Sequence, residues 1–174
     1  EGPFIQTIFN PLSMAKYLAG EATLYVHMRR YPEELRKGLE TLTETVIRFV
    51  RQVLSRGAAG LFFATQHAQY GLLSEAEYNE FGRPYDLRVL EAAQDGWFNL
   101  LHLHGEEVMF DLLADYPVQA INWHDRDTAP SLADGAKRFS GAVCGGLRRI
   151  DTIVRGTPDQ VHAEAADAIE QTGG

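Results

Sequence analysis

With 174 residues, 45% of them hydrophobic and 23% charged, the chain can build one folded unit around a substantial core, and its composition excludes a disordered or low-complexity protein. A formal net charge of −8 argues against non-specific binding to nucleic acid or to an anionic membrane surface. The one cysteine, Cys144, excludes an intrachain disulfide framework, no apolar run approaches the ~20 residues of a membrane span, and no signal peptide is visible, so a cytoplasmic protein is expected.

In chain order, 4–9 (Phe4 to Phe9) is a β-favouring run closed by the turn Asn10-Pro11. A short helix is predicted from Ser13 to Leu18, stopped near Gly20, and a longer one after Pro32. In the longer helix Leu35, Leu39, Leu42, Val46, Phe49 and Val53 recur every three or four residues, which predicts one buried face up to Gly57. Gly60 to Thr65 is a strand apolar on both faces, as parallel strands covered on both sides are. Ser74 and Glu77 form a capping-box pattern for the next helix, which Pro84 should break or kink before a second segment running to about Gln94.

The most informative stretch follows. Phe98 to Gly105 is an apolar strand carrying two histidines, His102 and His104, two apart and therefore on one face. A helix is predicted from Glu106 to Ala114, then a strand Val118 to Trp123 ending in His124-Asp125-Arg126-Asp127. A helix around Leu132–Arg138 and a short strand from Gly141 to Gly146 precede a last helix, with Thr157 as cap, Pro158 first inside it and Gln160 completing a capping box. Strand–helix alternation without hairpin signals predicts one α/β unit with a parallel sheet. The two ends, Glu1 and Gly173-Gly174, read as cut.

Ligands in such folds bind beyond the carboxyl ends of the strands. Asn10, Thr65, Gln66, His67, His102, His104, Asn122, His124 and Asp125 fall there, including four of the six histidines. Imidazoles titrate near neutrality and ligate metals, so this rim offers acid–base or metal chemistry. His102-x-His104 supplies two metal ligands, and a zinc site requires a third. Cys144 reads as a small buried hydrophobe. Gly141, Gly145 and Gly146 read as a tight turn before an anion cradle, and Arg148, Arg149 and Arg155 as surface charges before substrate ligands. Neither a serine nucleophile elbow nor a P-loop is present.

The order of these motifs resembles the uroporphyrinogen decarboxylase family of (β/α)8 barrels, whose relatives include zinc-dependent methyltransferases acting between corrinoid proteins and thiols. The stretch from Phe9 to Leu18 looks like the segment after the family's third strand, with Tyr17 at its active-site tyrosine. Phe63-Ala64-Thr65 is similar to the fourth-strand end, where Thr65 keeps a substrate-contacting hydroxyl. Phe81 to Tyr85 matches the helix that follows, Asn122-Trp123 the sixth-strand end, and Gly145-Gly146-Leu147 the seventh-strand exit. The resemblance implies a partial (β/α)8 TIM barrel, about strands three to seven, lacking the first two strands and the last. At the fifth strand the methyltransferase branch has His-x-Cys as zinc ligands; His102 matches the histidine, and His104 replaces the cysteine with another competent donor. The branch's third ligand would lie on the absent last strand.

Three readings follow. The first is decarboxylation of porphyrinogen acetate side chains without a cofactor, with Tyr17, Thr65, His102 and His104 catalytic and Phe63, His67, Asn122 and His124 binding substrate. The second is zinc-dependent methyl transfer from a corrinoid protein to a thiol, with His102 and His104 on the metal. The third is a module that binds a tetrapyrrole or corrinoid without turning it over. In each case this chain by itself is expected to be inactive, and its open sheet edges to favour self-association.

Overall fold

The computed structural model describes residues 2–173. Strands β1 (Ile5–Phe9), β2 (Gly60–Thr65), β3 (Leu100–Leu103), β4 (Ala120–Trp123) and β5 (Ala142–Cys144) form one parallel sheet in the order of the sequence. Each strand pairs with the next through a helical crossover, as consecutive strands of a (β/α)8 barrel do. Among the described residues no helix is long and apolar enough to cross a membrane.

Strand alternation divides the sheet into two unlike faces. Ile8, Leu61, Phe63, Leu101, Leu103, Ile121 and Trp123 point to one side and join the core with the helices. Thr7 and Phe9 of β1, Phe62 of β2, His102 of β3, Asn122 of β4 and Cys144 of β5 point to the other, which is only partly covered. Burying side chains such as Phe63 and Leu101 contributes roughly 1.5–3 kcal/mol each on the helix side.

The helices follow from local chemistry. In α1 (Pro11–Ala19) the Asn10 side chain accepts from Ser13 N and Pro11 sits in the first turn. Helix α2 (Glu21–Arg30) buries only Leu24 and Met28. The long α3 (Pro32–Ser55) buries Leu35, Leu39, Thr43, Val46, Ile47 and Val50. Its stripe is thus turned from the expected one, and Phe49 is exposed beside Phe9 and Met14 in an apolar groove along the free edge of β1. The Ser74–Glu77 capping box starts α4 (Glu75–Phe81), and Pro84 lies in the first turn of α5 (Arg83–Ala92), where its missing N–H costs nothing.

The predicted helix from Glu106 is largely loop, and α6 is confined to Phe110–Leu113. Gly105 has φ 100° and Glu107 φ 46°, and the segment zips against the loop after β2 instead, through Tyr70 N to Glu107 O at 2.9 Å and Met109 N to Ala68 O at 2.8 Å. Helix α7 (Leu132–Arg138) leads to β5. Then come a π-helical segment (Arg149–Val154) and α8 (Pro158–Thr172), started by the Thr157–Gln160 capping box.

Candidate metal centre on the open sheet face

The register of β3 and β4 sets His102 beside Asn122, and Leu103 beside Trp123. One step further, His104 and His124 come opposite each other. The three imidazoles form a near-equilateral group, with centroids 5.8 Å (His102–His104), 5.6 Å (His102–His124) and 5.5 Å (His104–His124) apart. One nitrogen of each lies within 4.8 Å of the others, close enough for side-chain rotation to bring all three onto one ion.

The surroundings keep these rings neutral. Burial pushes His102 down to about 4, opposed by its hydrogen bond with Asn122. Burial also lowers His104 and His124, and the Arg149 guanidinium opposes protonation of all three. Lys16 adds to the effect at His104. Phe62 stacks on the His102 ring at 5.2 Å, and the 2.6 Å contact between His102 Nδ1 and Asn122 Oδ1 fixes its rotation. Among the described residues His124 Nε2 is buried without a hydrogen-bond partner. Unprotonated imidazoles gathered this closely make a candidate metal-binding group.

The remaining sequence-derived candidates are placed differently. Phe63 and Thr65 face the helices, both fully buried, and the Thr65 hydroxyl donates to His102 O at 3.1 Å. The expectation that they line the ligand side is therefore corrected by one residue of alternation: Phe62 and Ala64 occupy that face. His67, expected on the rim, is fully buried against Tyr25 with neither ring nitrogen hydrogen-bonded among the described residues, and burial pushes it down to about 4. Tyr17 is exposed in a separate rim group, where its hydroxyl donates to Gln66 Oε1 at 2.9 Å and Lys16 Nζ reaches the same oxygen at 3.2 Å. Cys144, expected to be buried, is exposed on the free edge strand.

The glycine exit of β5 is a tight turn. Gly146 has φ 98°, and its N–H donates to Asp125 Oδ1 at 2.7 Å, leaving that donor unavailable to an anion. Arg148 is paired with Glu164 at 3.0 Å. Reading the sequence missed His124 as the partner of the His-x-His pair. The signal was there: the residue after Trp123 falls on the same face as Asn122, one alternation beyond it.

The family model described as uroporphyrinogen decarboxylase (URO-D) matches residues 1–174. The chain belongs to the uroporphyrinogen decarboxylase family. Within what this family resembles, the chain is 26% identical over 172 residues to a methylated-thiol–coenzyme M methyltransferase of Methanosarcina mazei, covering 97% of this chain and 45% of that protein. It is 24% identical over 147 residues to a uroporphyrinogen decarboxylase of Prochlorococcus marinus, covering 82% of this chain and 40% of the relative. A solved methyltransferase from Methanosarcina mazei superposes with a TM-score of 0.84 at 18% identity, over 97% of this chain and 50% of that one. The chain thus spans about half the length of the relatives it matches. The family holds both decarboxylases and methyltransferases, and the partial barrel is common ground between them.

Proposed function

We propose that the protein is a zinc-dependent methyltransferase that passes a methyl group from a corrinoid protein to a small thiol, with His102, His104 and His124 as the metal ligands. One observation carries the reading: three imidazoles gather at the carboxyl ends of two neighbouring strands, with a nitrogen of each within 4.8 Å of the others. The donor set fits the ion. Three protein nitrogens and one open position make the usual catalytic zinc pattern, and the buried, unpartnered His124 Nε2 is an orphan that a metal bond would satisfy. The likeness to a thiol methyltransferase supports the same branch.

Bound there, zinc supplies Lewis acidity that lowers the pKa of a coordinated thiol, so that its sulfur reacts as a thiolate. The chain's own residues do the rest. Phe62 and Asn122 hold the His102 ring, and the helix-side core keeps β3 and β4 in register. Arg149 and Lys16 place positive charge near the histidines, which favours an anionic sulfur over a neutral thiol. Such a transfer would balance if the thiol proton were released to solvent, the sulfur electron pair formed the new S–C bond, and the pair of the broken donor–methyl bond stayed with the corrinoid donor. The cytoplasm, a reducing compartment, suits the exposed, unpaired Cys144.

The test is metal titration of the chelator-stripped protein with zinc, and with cobalt(II) as a visible reporter. One ion per chain is expected, and His102→Ala, His104→Ala and His124→Ala should each weaken binding at least tenfold. Failure of the stripped protein to take up either metal sinks the reading. A second reading, porphyrinogen decarboxylation, draws on the decarboxylase relative and on Tyr17, whose hydroxyl is exposed beside Gln66 and Lys16 at the rim. For a full-length protein that contains this chain it predicts loss of carboxylates from uroporphyrinogen in the presence of chelator, dependent on Tyr17, whereas the methyltransferase reading predicts none.

A further inference from the structure

We propose that Asn122 is a positioning residue that fixes the tautomer of His102, keeping Nδ1 protonated and leaving Nε2 as the free electron-pair donor. Its purpose rests on the metal reading above, but the tautomer is a property of the metal-free chain.

The argument is one of donors and acceptors along three adjacent strands. Asn122 of β4 lies beside His102 of β3 and Cys144 of β5 in the paired register. Its Nδ2 donates to Cys144 O at 2.7 Å. A backbone carbonyl has no proton to give, so the reversed amide would set Oδ1 against that carbonyl, two acceptors face to face. The amide orientation is therefore dictated by the main chain of β5, which resolves the usual ambiguity between the amide oxygen and nitrogen. Oδ1 is then the atom 2.6 Å from His102 Nδ1. An amide oxygen only accepts, so Nδ1 carries the hydrogen.

A further contact holds the ring in this orientation: Phe62 stacks on it with an interplanar angle of 28°. A histidine whose Nδ1–H is held by a fixed acceptor presents Nε2 in a set direction, the usual way that outer partners orient a metal ligand. The relay runs from the β5 main chain through Asn122 to the imidazole, so an edge strand with no ligand of its own sets the donor atom of a ligand two strands away.

The experiment is long-range ¹H–¹⁵N correlation NMR of histidine-labelled, metal-free protein. The expected spectrum shows His102 with a protonated Nδ1 and an unprotonated Nε2. Asn122→Leu should shift it toward the Nε2–H form that an unconstrained histidine prefers, and weaken zinc binding 10- to 100-fold. Asn122→Asp retains the acceptor and should keep the Nδ1–H form. A wild-type His102 protonated at Nε2 overturns the proposal, whether or not either variant folds. So does an Asn122→Leu protein that folds and binds zinc with unchanged affinity. If the Nδ1–H form is observed but no metal binds, the tautomer assignment stands and the metal reading alone falls.

Discussion

Asp86 and His67 are both fully buried, and they pull the pH dependence of stability in opposite directions. Burial raises Asp86 to about 7 from 3.8, although Tyr78, Asn10 and Tyr116 all donate to its carboxylate. The folded chain therefore holds a proton that the unfolded chain has lost, and Asp86 costs stability progressively as pH rises from about 4 to about 7. His67 is the reverse: lowered from 6.5 to about 4, it costs stability as pH falls through that window. Urea denaturation from pH 4 to 8 should show Asp86→Asn flattening the neutral-side decline. Asp86→Ala, which orphans three donors, should lose about 3 kcal/mol or more. His67→Phe replaces a ring with two unsatisfied nitrogens and should be neutral or stabilising by ~1 kcal/mol. A loss above about 2 kcal/mol would reveal a partner for His67. The same scale shows what the sequence could tell about the site. His102 and His104 were legible from their two-residue spacing alone. Phe62 was not separable from Phe63, because β2 is apolar on both faces and its phase emerges only from pairing with β3.

Helix starts were the most legible elements, because a cap is chemistry confined to four residues. Both capping boxes form as the sequence indicated. Helix α2 was overlooked as a separate element because it presents only two buried residues, too few for a stripe. The helix expected from Glu106 was shortened by tertiary pairing with the loop after β2, which no local pattern announces. Helix α7 offers a test of packing against propensity. Gly135→Ala would ordinarily gain up to ~1 kcal/mol in a helix. Here a Cβ would stand 2.5 Å from Trp123 Cη2, and the fully buried Trp123 is tethered through Nε1 to Pro130 O at 2.8 Å. The substitution should instead destabilise by about 1–3 kcal/mol in thermal or chemical denaturation. A gain in stability would show that Trp123 can yield.

For the whole molecule, strand–helix alternation was enough to anticipate a parallel sheet, and the family resemblance supplied the order of its strands. The open edges expected from that resemblance are those of β1 and β5 among the described residues; what alternation could not convey is that helices cover one face only and that Phe9 and Phe49 border an apolar groove. Unpaired edges of this kind template further pairing, so self-association is expected at micromolar concentration in light scattering coupled to gel filtration. A monodisperse monomer across that range contradicts it.

The three imidazoles come from β3 and from the residues just past the ends of β3 and β4, two strands held together otherwise by a short ladder of hydrogen bonds. An ion gripping both strands would therefore act as a removable cross-brace, and occupancy would become a component of folding free energy. At free zinc a thousandfold above its dissociation constant the gain is about 4.1 kcal/mol, a large share of the roughly 5–15 kcal/mol that holds a typical domain folded. The melting temperature should climb with the logarithm of free zinc in the wild-type chain and stay level once His124 is replaced by Ala. The chemistry of the open face and the endurance of the fold would then answer to the same metal supply.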